Sequence, residues 1–93
     1  MKARIIEEAK KFTDIPNVGP RIAEDLILLG FKNPQKLKGK DAFEMYKRLE
    51  ELTNSYQDPC VLDTFMAVVD FANGSPARKW FRYTLQRKLK YKI

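Results

Sequence analysis

Five prolines and four glycines set the limits on what this 93-residue chain can fold into. Pro16, Pro20, Pro34, Pro59 and Pro76 break backbone hydrogen bonding, and Gly19, Gly30, Gly39 and Gly74 favour turns, so only short segments remain between the breaks. Within those segments apolar residues recur at helical spacing, and nothing before Gly74 alternates with the period of two that a half-buried strand requires. The expectation is an all-α fold, a compact bundle of four to five short helices. Ala3 to Asp14 reads as a surface helix with Ile5, Ala9 and Phe12 on one stripe and Glu7 one turn from Lys11. Pro20 opens a second helix, buried through Ile22, Ala23, Leu26, Ile27 and Leu29 and ended by Gly30. Asp41 and Glu44 have the spacing of a capping box ahead of Phe43, Tyr46, Leu49 and Leu52, which gives a third helix over 41–53. Asp58-Pro59 starts a fourth and most apolar one, running through Leu62, Phe65, Met66, Val69 and Ala72 to Gly74. Residues 77–83 read as irregular, with Thr84 capping a short helix over 85–91.

Apolar residues at 44% and charged residues at 32% suit a chain that folds. One core is all that this length supports, burying about 60–65% of the unfolded surface. A lone Cys60 has no internal disulfide partner, so a reducing compartment, the cytoplasm, is expected. No apolar run approaches the roughly 18 residues of a membrane span, and Met1 to Glu8 meets acids before any signal-like stretch forms. Charge is distributed unevenly. Residues 1–76 hold 11 Lys/Arg against 12 Asp/Glu, whereas 77–93 hold Arg78, Lys79, Arg82, Arg87, Lys88, Lys90 and Lys92 with no acid. The expected organisation is a helical domain over 1–76 and a basic, aromatic tail over 77–93, packed on it or extending from it. Such a tail attracts polyanions, nucleic acid among them; a solvated terminus that aids solubility is the competing reading.

The segment Ile15-Pro16-Asn17-Val18-Gly19-Pro20-Arg21-Ile22-Ala23 carries most of the functional information. Two helices can meet through so few residues if some positions accept positive φ, and Asn17 and Gly19 are types that tolerate it. Val18 can point inward, and Ala23 is small enough for close helix approach. Because the second helix starts at Pro20, its unpaired leading N–H groups face out of the bend, where backbone donors and the helix dipole would hold an oxyanion. Arg21 adds a formal charge, partly opposed by Glu24 and Asp25.

This segment resembles the helix-hairpin-helix motif of DNA repair and replication proteins, apolar-Pro-Gly-apolar-Gly-Pro-basic-x-Ala, with Asn17 in place of the first glycine. That resemblance implies a SAM-like helix-hairpin-helix domain in which the amides of Asn17, Gly19, Arg21 and Ile22 hold a phosphate of duplex DNA without reading bases. It also implies a monovalent cation held by the carbonyls of Thr13, Ile15 and Val18. A second hairpin, near Leu37-Lys38-Gly39-Lys40, has one glycine and is degenerate. A wider resemblance rests on Asp14 to Pro20, Asp58-Pro59-Cys60-Val61-Leu62-Asp63, Phe71-Ala72-Asn73-Gly74, Pro76-Ala77-Arg78 and Trp80. On these the chain resembles the small bacterial "pathogenicity locus" family, and its first two-thirds are similar to the C-terminal domain of the competence regulator TfoX. The family implies a one-domain helical fold with DNA binding and no established reaction.

Other residues invite functional readings with commoner alternatives. Cys60 has no histidine to act as its base, so a structural thiol is expected, although a helix start can lower a thiol pKa. Asp63 and Asp70 could share a metal, but a solvated helix face is the commoner reason for such a pair. A Cys/His zinc site is excluded by composition. Trp80 and Phe81 read as packing residues that close an apolar edge, and Tyr83 is open between packing and base stacking. The expected function is sequence-nonspecific DNA binding, without catalysis, through Asn17, Val18, Gly19, Arg21, Ile22, Arg78, Lys79, Arg82, Arg87, Lys88 and Lys90. Truncation after Pro76 is expected to flatten its salt dependence, and Gly19→Val to distort the turn. The alternative is a protein-interaction adaptor that makes no contact with nucleic acid.

Overall fold

Asp58 and Pro59 start the helix around which everything else is arranged. The Asp58 carboxylate accepts the Cys60 amide at 2.8 Å, and Pro59 fills the first helical position, where no N–H is needed. In the computed structural model, which describes residues 2–93, this helix runs Pro59–Ala72, and eleven of its fourteen residues are buried. A helix apolar on nearly all sides has to be central. Three others surround it. Numbered along the chain, α1 spans Pro20–Leu28, α2 Ala42–Thr53, α3 Pro59–Ala72 and α4 Thr84–Tyr91, with no strand among the described residues.

The caps of α1, α2 and α3 fall where the sequence placed them, whereas Thr84, expected to cap the last helix, is its first residue, with Tyr83 at the cap position and the Thr84 hydroxyl given to Asp63. Gly30 ends α1 at φ 95° and Gly74 follows α3 at φ 106°, conformations that side chains resist. Asp41 accepts the Phe43 and Glu44 amides at 2.9 and 3.1 Å ahead of α2. Tyr46, Leu49, Leu62, Phe65 and Val68 form the fully buried centre, with Leu26, Leu37, Ile6, Ile15 and Val18 closing it on the other side.

The expected helix over Ala3 to Asp14 is absent. In its place are two 3-10 turns, Ile6–Glu8 and Phe12–Asp14. The buried residues here are Ile6, Ala9, Phe12, Ile15 and Val18, every third position, which is the period of a 3-10 helix. Ile5, assigned to the stripe, is 52% exposed instead. Side chains have taken the backbone groups an α-helix would have used. The Asp14 carboxylate accepts the Lys10 and Lys11 amides, and Gln35 Nε2 donates to the Ile6 and Ala9 carbonyls at 2.8 Å each. Glu7 pairs with Lys38 at 3.0 Å rather than with Lys11. On α1 the buried face is narrower than expected, Ala23 and Leu26 being buried and Ile27 lying 61% exposed.

Residues 80–91 pack on α3. A 3-10 turn at Trp80–Tyr83 leads into α4. Asp63, expected on a solvated face, is fully buried; it accepts Thr84 Oγ1 at 2.7 Å and Arg87 Nε at 2.6 Å. Asp70 accepts the Tyr83 hydroxyl at 2.9 Å. The two carboxylates are sockets for the C-terminal segment. Of the aromatics, Tyr83, open between packing and stacking in the sequence, is buried, whereas Phe81, expected to pack, is 56% exposed and lies edge-on to Trp80, itself 36% exposed.

Candidate functional site

Ile15 to Val18 forms the bend. Val18 N donates to Ile15 O at 3.1 Å, with Pro16 second and Asn17 third at φ 73°, the residue pattern of a type II turn. The Val18 side chain is buried beneath it and fixes the turn to the core. Gly19 follows at φ −96° and ψ −173°, extended backbone that any residue adopts, and caps α1 with no side chain. A Cβ added there would meet nothing within 4 Å. Positive φ is therefore needed at Asn17 alone, and the expected distortion by Gly19→Val has no steric basis.

The four amides at Asn17, Gly19, Arg21 and Ile22 find no acceptor among the described residues; the first amide of α1 to be satisfied is that of Ala23, on Gly19 O at 3.0 Å. Gly19, Pro20 and Arg21 are exposed. The bend thus presents a row of free donors at the positive end of a helix. Val18, by contrast, uses its own amide internally and shapes the bend without facing outward.

Asn17 makes a second contribution through its side chain. Nδ2 donates to Arg78 O at 2.7 Å and Oδ1 accepts the Trp80 amide at 3.1 Å. This clip holds the chain from Ala77 to Trp80 against the bend. The result is an open cleft of about 470 Å³ lined by Pro16, Asn17, Val18 and Gly19 on one side and Ala77, Arg78 and Lys79 on the other, with Lys2 at its edge. A neighbouring recess of about 430 Å³ adds Arg82 to Ala77, Arg78 and Lys79. Both accommodate a phosphate group with its ester neighbours.

Lys2 also tests the carbonyls assigned to a cation. Its ammonium donates to Thr13 O at 2.6 Å and Val18 O at 2.5 Å, while Ile15 O accepts the Val18 amide. A tethered positive charge therefore stands where those carbonyls converge, and the residues present do not fit a free monovalent ion. No group of three or more His, Cys, Asp or Glu among the described residues is placed to hold a metal.

The remaining cations divide. Lys88 is exposed on α4, away from the residues that line the cleft. Lys90 borders a different recess, with Lys40 and Asp70, and its ammonium lies 5.3 Å from the Tyr91 ring. Arg87 is 5% exposed and committed to Asp63. Arg21 projects from the first turn of α1; its charge opposes the burial that pushes the Asp25 carboxyl above its usual range. At Cys60 the hydrogen bond to the Asp58 carboxylate, followed by burial, pushes the thiol up, against the lowering a helix start can give. A raised thiol holds less thiolate at neutral pH than a free cysteine. Sequence reading missed Lys2 and the Asn17 clip. Neither has a local spacing signal, since the clip joins residues more than sixty positions apart.

Comparison with known proteins agrees with this architecture in extent. The family described as "Cdd1: Pathogenicity locus" matches residues 5–89, from the first 3-10 turn through most of α4. A protein named mitomycin resistance protein McrB, from Streptomyces lavendulae, is 37% identical over 81 residues, covering 87% of this chain and 77% of that protein. No solved structure matches the chain. No helix among the described residues is long and apolar enough to cross a membrane.

Proposed function

The chain belongs to the pathogenicity locus family, and from that premise together with the geometry of the bend we propose that it is a sequence-tolerant DNA-binding module of the helix-hairpin-helix kind. It works in the cytoplasm and catalyses no reaction. The single observation carrying this reading is that the four amides of Asn17, Gly19, Arg21 and Ile22 lack acceptors among the described residues, and that Asn17 and Gly19 line a cleft shared with Lys2, Arg78 and Lys79. Backbone donors and a helix dipole recognise a phosphate oxygen whatever the base, so binding is positional and not sequence-reading. Arg78, Lys79 and Arg82 then neutralise neighbouring phosphates of the duplex, releasing counterions.

Gly19→Asp tests this directly. Aspartate at an N-cap accepts the amides of the second and third helical residues, here Arg21 and Ile22, and so supplies an internal anion to the donors proposed for DNA. Melting should be unchanged or raised by a few tenths of a kcal/mol, because glycine and aspartate are both good N-caps. Anisotropy titration of a labelled duplex should show affinity at least about tenfold weaker, a loss of some 1.4 kcal/mol. Duplex binding equal to wild type by Gly19→Asp would show that the amides make no contact. Failure of the wild type to retain duplex at low salt would leave the adaptor reading in its place.

A further inference from the structure

Helix α4 is folded inside out. Its core-facing residues include Thr84 and Arg87, both bonded to Asp63, while Leu85 and Leu89 each lie 67% exposed on the opposite side. Phe81, one turn earlier at the same spacing, is 56% exposed. A helix stabilised by packing alone would bury its leucines and turn arginine outward. Here the inverted orientation is fixed. Asp63 holds Thr84 and Arg87, Asp70 holds Tyr83, and Tyr91 stacks on Phe43 with centroids 4.6 Å apart and planes within 6°. These contacts hold the backbone of α4 with its leucines outward, so the helix itself has no folding left to do on contact.

Charge says what could cover it. Lys88 is exposed on α4 three residues from Leu85, Arg82 and Lys92 are exposed just before and just after the helix, and residues 77–93 contain no acid. We propose that the outward ridge of α4, Leu85 and Leu89 flanked by Arg82, Lys88 and Lys92, is a docking surface for an acidic amphipathic helix of a partner protein. Two copies of this chain facing each other through α4 would set these cations against one another without a compensating carboxylate. A phosphate backbone would use the cations and leave the leucines uncovered. A lipid surface asks for a broad apolar face, whereas this ridge is narrow and bounded by charge. An amphipathic helix with carboxylates flanking an apolar stripe matches both features at once. Arg82 is shared with the DNA reading but Leu85 and Leu89 are not, so the inference stands or falls on leucine-dependent binding.

The probe is a labelled acidic peptide of about 20 residues with leucines at helical spacing and glutamates on either side, compared with a peptide of the same composition whose leucines form no stripe. Full-length protein should bind the striped peptide at least about tenfold more tightly than the control. In Leu85→Ser/Leu89→Ser, where both substitutions lie on the solvent face and the helical spectrum should be unaltered, the preference should vanish while weak charge-driven binding to both peptides persists. Equal affinity of wild type for the two peptides, no binding of either, or a preference that survives the double substitution would each overturn the proposal. So would a leucine-dependent dimer in sedimentation, leucine-dependent retention on phosphatidylserine vesicles, or loss of duplex binding in the double variant, since each would give the ridge to a different occupant.

Discussion

Asn17 does two jobs that a glycine at the same place would separate. It accepts φ 73°, and its carboxamide holds Arg78 O and the Trp80 amide. The helix-hairpin-helix pattern that the segment resembles has glycine at this place, which would give the conformation but no clip. Asn17→Gly should therefore keep the bend and release the segment from Ala77 to Trp80. Two largely exposed hydrogen bonds are lost, so urea denaturation should show a decrease of about 1 kcal/mol. With Arg78 and Lys79 no longer held beside the bend, duplex affinity should fall several-fold. Unchanged affinity would separate the clip from the cleft's function. The bend itself was legible in the sequence because its determinants are local: proline second in the turn, a residue tolerant of positive φ third, and proline again at the first position of α1. The clip was not, because what Asn17 bonds to is decided by where the chain returns after α3. Lys2 is a similar case, a terminal lysine whose ammonium meets two carbonyls that only the folded bend brings together.

Helices α2 and α3 have the boundaries their caps announce, whereas the two ends of the chain depart from expectation for one shared reason. Between Ala3 and Asp14 the apolar positions 6, 9, 12, 15 and 18 fit a period of three as well as the stripe of Ile5, Ala9 and Phe12 fits an α-helix, and side-chain partners distant in sequence decide between them. At the C-terminal end a short helix over 85–91 was expected, but nothing local says that Thr84 and Arg87 face inward and the leucines outward. That depends on the buried carboxylate of Asp63, one element away. The Asp63–Arg87 pair is consequently the lock of α4 onto α3. Asp63→Ala leaves Arg87 buried without its counter-ion and should cost about 3–5 kcal/mol in urea denaturation, whereas replacing both partners, Asp63→Leu with Arg87→Met, should recover most of it. A second element contact has a pH signature. Burial pushes the Tyr46 hydroxyl up to about 12 while it donates to Gln57 O, across the loop from α2 to α3. The folded state thus keeps a proton that the unfolded chain gives up near its ordinary value of about 10. Stability from this group is complete below pH 10 and is lost as the pH rises towards 12, by about 2 kcal/mol. Tyr46→Phe should flatten that part of the stability profile.

Across the whole molecule, docking turns a sequence asymmetry into a surface one. The basic segment 77–93 does not trail from the body; Tyr83, Thr84 and Arg87 bind α3, so its charges have fixed places. Arg78 and Lys79 border the bend and Arg82 the adjoining recess, Lys90 faces another recess, and Arg87 has no free charge to offer. Deleting the segment after Pro76 would uncover the apolar residues of α3 that it covers and remove both partners of Asp63, so a truncated protein would report lost stability and not the role of the charges. Substitution within the folded chain separates them. Each phosphate contact contributes about 0.9 to the slope of log affinity against log salt on duplex DNA. Neutralising Arg78, Lys79 and Arg82 together, each to Gln, should therefore flatten the slope by nearly 3, whereas Lys88→Gln with Lys90→Gln should change it by less than about 1. Equal flattening by the two sets would mean that DNA responds to total charge, and that the cations gathered by the Asn17 clip have no special place in binding.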